Sequence, residues 1–209
     1  MKDVADLLRA ARLVPVLTIP RVEDAVPLAR ALVAGGVRTL EVTLRTAAGA
    51  AAAEAIQAEV PGALVGLGTV TTVRDLELVR RLRLPFAFSP GATPELLDAA
   101  RDMGVPFVPG IATASELMAA LARGFRTVKL FPAAQLGGPG ALRALGGPFP
   151  SALFNPTGGV TPENMDSYLQ LPNVVAVGGS WLASEADIAA GRWDAITARA
   201  EAATGRVRT

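Results

Sequence analysis

The sequence predicts an α/β fold, a (β/α)8 barrel with a short leading N-terminal helix, in a single domain over residues 1–209. Three observations carry this reading. Eight short β-branched or apolar runs alternate with segments of helical period. The centres of successive runs lie about 20 to 26 residues apart, close to the least that a strand, a loop, a helix and a loop require. No linker, charge block or composition shift divides the chain. An open doubly wound sheet is the rival, and it has less need of so many strands at so even a spacing.

Met1–Leu13 reads as the leading helix, with Asp3, Asp6, Arg9 and Arg12 spaced along it. Val14–Thr18 is the first strand, and Val22–Ala34 the helix after it, ended by Gly35. Thr39–Leu44 is the second strand, and the Ala-rich Ala47–Val60 is a helix. Leu64–Gly68 and Val73–Leu82 form the third unit. Phe86–Ser89 is followed by Pro94–Met103, with Thr93 as N-cap, Pro94 at the first helical position and Gly104 as the stop. Pro106–Pro109 is followed by Ala114–Arg123 and its closing Gly124, and Thr127–Leu130 by Ala141–Leu145. Ala152–Asn155 leads to Pro162–Leu171, again opened by a Thr-Pro pair, and Val174–Val177 leads to a C-terminal helix from Asp187 to Ala203.

The composition removes whole classes of chemistry. The chain has no cysteine and no histidine, so no thiolate nucleophile, Ser-His-Asp triad, imidazole base or common transition-metal site is available. None of the common transition-metal sites is therefore expected, and no motif calls for a cofactor. A net charge of +1 without a Lys/Arg cluster argues against nucleic acid. No apolar run approaches the ~20 residues of a membrane span, and the N-terminus lacks the apolar region of a signal peptide, so the cytoplasm is the expected setting. Acid-base or covalent work falls to carboxylates, Lys, Tyr or hydroxyls. Of the 20 basic residues 18 are Arg, and the lysines are Lys2 and Lys129.

In a barrel the C-terminal strand ends and the loops after them build the site. In Thr127-Val128-Lys129-Leu130-Phe131, period-two alternation turns Lys129 and Phe131 away from the apolar pair and into the barrel. Burial there favours the free amine, which attacks a carbonyl to give an imine; Arg cannot do this. The competing reading is a Lys that pairs with a buried carboxylate to fill a polar layer. Glu41, Thr43 and Arg45 alternate with aliphatics in the second strand and are expected to converge inside the barrel. A carboxylate beside an amine can move protons, or it can be a structural ion pair. Arg45 and Thr69 suit a substrate carboxylate. Thr157-Gly158-Gly159 and Gly178-Gly179-Ser180 follow the seventh and eighth strands, the common place for a phosphate held by backbone N–H groups. Gly66-x-Gly68 lacks the third glycine of a dinucleotide fingerprint and is set aside.

Seven segments in order then resemble one family. They are Leu40-Glu41-Val42-Thr43-Leu44-Arg45-Thr46, Val65-Gly66-Leu67-Gly68-Thr69-Val70, Ser89-Pro90-Gly91, Pro109-Gly110-Ile111, Lys129-Leu130-Phe131-Pro132-Ala133, Asn155-Pro156-Thr157-Gly158-Gly159-Val160 and Gly178-Gly179-Ser180-Trp181. Together they resemble the class I 2-keto-3-deoxy-6-phosphogluconate (KDPG) aldolases, related to the 4-hydroxy-2-oxoglutarate aldolases. The resemblance implies a metal-free barrel, a homotrimer and a small keto-acid phosphate as substrate. It puts the Schiff-base lysine at Lys129, the acid/base glutamate at Glu41, the pyruvate-carboxylate contacts at Arg45 and Thr69, and the phosphate contacts at Gly158, Gly159, Gly179 and Ser180. Thr43, Ser89, Pro90, Phe131 and Thr157 would line the site. Where relatives often carry a Glu just after Phe131-Pro132-Ala133, this chain has Ala134-Gln135, which bears on substrate breadth.

The implied reaction cleaves KDPG to pyruvate and glyceraldehyde 3-phosphate. Its nearest alternatives are the same chemistry on the galactonate-derived phosphate or on 4-hydroxy-2-oxoglutarate. Remoter ones are a sugar-phosphate isomerase or epimerase, disfavoured by the absent histidines, and a non-catalytic barrel that binds a phosphorylated ligand.

Overall fold

The computed structural model describes residues 4–207. The expectations for Met1–Asp3, Lys2 included, lie outside the described residues. Helix α1 (Val4–Ala11) turns Ala5 and Leu8 inward, and a residue later β1 (Leu13–Leu17) begins. A 3-10 turn at Val22–Asp24 leads into α2 (Ala25–Ala34). The chain continues through β2 (Thr39–Thr43), α3 (Gly49–Glu59), β3 (Leu64–Gly68), α4 (Val73–Arg81), β4 (Ala87–Phe88) and α5 (Pro94–Asp102). It then runs through β5 (Phe107–Val108), β6 (Gly110–Ile111), α6 (Ala114–Leu121), β7 (Thr127–Leu130), α7 (Gly138–Gly146), β8 (Leu153–Phe154) and α8 (Met165–Leu169). Last come β9 (Val177–Gly179), α9 (Glu185–Ala189) and α10 (Trp193–Val207).

The result is an α/β fold with parallel strands. A six-stranded sheet runs β5-β4-β3-β2-β1-β9, and a three-stranded one runs β6-β7-β8. Thr39 to Thr43 pair with Leu64 to Gly68 along the whole of both strands. The expected strand Pro106–Pro109 is observed as β5, with β6 continuing after Pro109, which has no N–H to give to a ladder. Its carbonyl accepts the Lys129 N–H at 2.8 Å. Isolated parallel bridges join Phe154 to Val174 and Thr157 to Gly178.

Two apolar clusters follow from period-two alternation. Leu13, Leu17, Leu40, Val42, Val128 and Leu130 face the helices in the larger. Val14, Phe86, Phe88, Val108 and Ala176 use the opposite strand face in the smaller, into which Leu8 of α1 inserts. The helix starts obey local rules: Thr72 and Thr113 close capping boxes with Asp75 and Glu116, and Thr93 accepts from the Leu96 N–H.

Four expectations shift. The last strand is Val177–Gly179 rather than Val174–Val177, because glycine, a poor strand former, hides its end from the pattern. The single helix expected over Asp187–Ala203 is α9 and α10, broken where Gly191 takes φ 62°. Thr161 does not cap α8. Asn164 stands before that helix, and its side chain accepts the Thr161 N–H at 2.9 Å. Gly35 has an ordinary φ of −76°, and it is Gly36 that takes the left-handed turn, at 86°. Gly35 is glycine because a Cβ there would overlap Ala200, where α10 crosses the end of α2.

Candidate active site

Lys129 on β7 and Glu41 on β2 face each other across the strand surface opposite the larger core cluster. Their neighbours Val128, Leu130, Leu40 and Val42 occupy the other face. Lys129 Nζ lies 2.9 Å from Glu41 Oε1, and the two side chains are 4% and 1% exposed. The ammonium sits 5.2 Å from the Phe88 ring centre and 5.8 Å from that of Phe131, within cation–π range of both. Glu41 Oε2 is buried with no hydrogen-bond partner.

That unpaired oxygen bears on the choice between an ion pair that fills the core and a pair that reacts. Desolvating two charges costs several kcal/mol per ion, and the pair recovers this only when the remaining lone pairs are satisfied. Here one carboxylate oxygen has no partner from the protein, beside an amine. Such a pair is poor as a structural filler. It can pass a proton between the amine, the carboxylate and a bound carbonyl compound.

The surrounding backbone fixes the carboxylate. A Cβ on Gly68 would collide with the Glu41 side chain, so β3 presses its bare α-carbon against Oε1. Thr69 follows with φ 59° and is half-buried; a β-branched residue in the left-handed region is strained, and such strain gathers at functional sites. Thr43 is buried and donates to the Leu17 carbonyl at 3.0 Å, tying β2 to β1. Ser89 is buried, and its Oγ accepts the Gly110 N–H at 3.0 Å. Gly110 in turn packs on the Pro90 carbonyl, too closely for a side chain.

Arg45 departs from its expected place. β2 ends at Thr43, so Arg45 sits in the turn towards α3 and is exposed rather than sharing the inward face of Glu41 and Thr43. No ion pair or hydrogen bond engages its guanidinium among the described residues. Alternation over six residues predicts a longer strand, but the chain must turn to start α3, where Gly49 packs on the Thr43 carbonyl.

The glycine-rich pairs meet at one end of β8 and β9. Thr157 is buried and bridges to Gly178, whose missing Cβ makes room for the Thr157 hydroxyl. Gly158 and Gly159 have φ of 96° and 73°, and their close neighbours are Pro132 and Ala134. The loop after Lys129 is strapped to this turn by Ala133 N–H to Thr157 O at 2.8 Å and Ala134 N–H to Gly158 O at 3.0 Å. Ala134 thus packs on the Gly159 α-carbon. Gly179 lies inside β9 rather than in a loop, beneath the Trp181 ring, and Ser180 is the first exposed residue after it.

Phe88, Gly68 and Asn155 contribute without having been assigned a role from sequence. Phe88 looks like ordinary core; Gly68 and Asn155 carried a signal, as a glycine and an amide on inward positions of apolar strands. Asn155 is fully buried, with Nδ2 donating to Thr157 Oγ1 at 3.1 Å and Oδ1 unpartnered.

A cavity of about 980 Å3 lies elsewhere. It opens between α1 and the strand starts, lined by Leu13, Thr39 and Pro106, the opposite end from the lysine. Among the described residues no group of three His, Cys, Asp or Glu could hold a metal, and no helix is long and apolar enough to cross a membrane.

Known proteins supply an independent test. The family model described as "Aldolase: KDPG and KHG aldolase" matches residues 4–199. The 2-dehydro-3-deoxy-phosphogluconate aldolase of Pseudoalteromonas atlantica is 50% identical over 198 residues, covering 95% of this chain and 92% of that one. The KHG/KDPG aldolase of Escherichia coli is 48% identical over 191 residues, covering 91% and 90%. The crystal structure of the KDPG aldolase from Legionella pneumophila, with pyruvate captured as a covalent carbinolamine, superposes with a TM-score of 0.92 at 44% identity over 95% and 97% of the two chains. With these matches spanning nearly its whole length, the chain belongs to the KDPG and KHG aldolase family.

Proposed function

We propose that this chain is a class I aldolase that cleaves KDPG to pyruvate and glyceraldehyde 3-phosphate through a Schiff base on Lys129. The observation that carries the reading is the buried 2.9 Å contact of Lys129 with Glu41, whose second oxygen is unpaired. The Lys129 amine adds to the C2 ketone, and the carbinolamine loses water to give a protonated imine that accepts the electron pair of the breaking C3–C4 bond. Glu41 takes the proton of the C4 hydroxyl, glyceraldehyde 3-phosphate departs, and the enamine is protonated at C3 and hydrolysed to pyruvate. Phe88 and Phe131 favour the cationic imine as they favour the ammonium.

Arg45, free at the mouth, and Thr69 bind the carboxylate. Gly158, Gly159, Gly179 and Ser180 hold the phosphate through backbone N–H groups and the Ser180 hydroxyl. Thr43, Ser89, Pro90, Phe131 and Thr157 line and brace the site. The reading includes a single domain in which the strands close as a (β/α)8 barrel. Support for closure comes from Pro109 as a mere break between β5 and β6, and from the two bridges between the β8 and β9 regions. Assembly as a homotrimer rests on the family resemblance, and a cytoplasmic setting on the sequence alone.

A second substrate is favoured by a specific observation, the combined KHG/KDPG name of the Escherichia coli relative. Pyruvate release measured on KDPG, on its galactonate-derived epimer and on 4-hydroxy-2-oxoglutarate tests the assignment. The largest kcat/KM is expected for KDPG. No pyruvate from any of the three would refute it.

A further inference from the structure

We propose that Asn155 is a positioning residue for the water that leaves and re-enters at the imine carbon, held between the side-chain carbonyl of Asn155 and the free oxygen of Glu41. The inference rests on the Schiff-base reading given above. Asn155 is the in-register neighbour of Lys129: β7 and β8 pair at Thr127–Leu153 and Val128–Phe154, and the Asn155 N–H donates to the Val128 carbonyl at 2.9 Å. Paired residues on parallel strands point to the same face from backbones about 4.8 Å apart, so the amide and the amine project side by side.

Among the described residues, two buried side-chain atoms lack a hydrogen-bond partner, Glu41 Oε2 and Asn155 Oδ1. Both are acceptors and both belong to residues that flank Lys129. The Asn155 amide nitrogen is already engaged with Thr157, so its oxygen is the end left to hold something else. Buried polar groups are almost always satisfied, by ordered water where protein offers nothing. A molecule with two protons to give and lone pairs to spare answers both acceptors at once. With its protons so held, the lone pairs of that water face the Lys129 nitrogen in the free enzyme and C2 when the imine has formed.

The chemistry balances around this position. When the carbinolamine collapses, its C2–O bond breaks, the departing oxygen takes a proton from protonated Glu41, and water and the protonated imine result. In the reverse sense the water oxygen bonds to C2 while the Glu41 carboxylate takes one of its protons. The carbinolamine then expels the amine to give the ketone. Asn155 neither gives nor takes a proton; it aims the oxygen.

Exchange of 18O between water and C2 of pyruvate reads this step, and borohydride trapping at saturating pyruvate reads the equilibrium amount of imine. In Asn155→Leu, which keeps volume and removes the acceptor, exchange above the uncatalysed background is expected to fall about tenfold while the trapped fraction stays as in the wild type. Wild-type exchange per trapped imine, or a parallel loss of both signals as from a merely structural defect, would overturn the proposal. A crystal structure of the unmodified protein gives a reading that does not depend on the variant folding. A water within hydrogen-bond distance of both Asn155 Oδ1 and Glu41 Oε2 is expected, and the lack of a shared one overturns it. Absence of any trapped imine in the wild type refutes the aldolase reading instead, and the crystallographic result still decides the water site.

Discussion

The carboxylate of Glu41 meets Lys129 Nζ through one oxygen, with the bare α-carbon of Gly68 pressed against the same group. A methyl at Gly68 cannot be accommodated without moving that carboxylate, and displacements of an ångström at a reacting pair cost about a hundredfold in rate. Gly68→Ala is therefore expected to lower kcat/KM by about a hundredfold, although overpacking destabilises by only about 1–3 kcal/mol. Steady-state kinetics beside thermal unfolding separates the two effects, and wild-type kcat/KM in a folded variant would show that the Glu41 position is not critical. Lys129 and Glu41 were legible in the sequence because a charge in an apolar strand has few explanations. Their mutual distance was not, since it depends on how β2 and β7, 88 residues apart, meet in space. Arg45 shows the limit from the other side: alternation carried it inward, and the turn into α3 left it exposed.

At the scale of elements, α9 and α10 are tied by Asp187. The Ser184 hydroxyl first, then the Arg192 and Arg199 guanidiniums, hold its carboxyl at about 2, below the ordinary 3.8. The Arg192 contact measures 2.6 Å and the Ser184 hydroxyl donates at 2.8 Å. A carboxyl depressed in the folded state adds stability that is full above its unfolded value. That stability is lost as pH falls from 3.8 towards 2. Asp187→Asn is expected to lower Tm by about 2–4 °C at pH 7. The gap should close near pH 2, and thermal unfolding followed across that range checks it; an undiminished gap at the acid end would place the effect elsewhere. The junction itself was hidden in the sequence, because helical period continues through Gly191 and only its positive φ reveals the break. The Thr161 cap failed for a related reason. Thr-Pro marks a helix start at Thr93, yet after Thr161 the backbone makes a turn first, and the Asn164 side chain takes the Thr161 N–H.

The whole molecule separates its two ends. At one, α1 sets Leu8 among Val14, Phe86 and Val108, and the large cavity lies beneath it without Lys129 or Glu41 in its walls. At the other, the loops after Lys129 and Thr157 are strapped together above the buried pair. The alternation of strand and helix was readable because each unit follows local rules of period, cap and glycine stop. The breaks in the sheet at Pro109 and around Pro156 were not, since they depend on which N–H groups a neighbouring strand needs. The absence of cysteine and histidine narrowed acid-base and covalent chemistry to carboxylates, Lys, Tyr and hydroxyls, and the fold buries the one described lysine against a glutamate. Borohydride reduction of the protein with pyruvate, followed by peptide mass mapping, tests this centre most directly. A single N-(1-carboxyethyl) adduct on Lys129, lost in Lys129→Arg, is the expected result. No adduct, or one confined to Lys2 or the N-terminus, would contradict it.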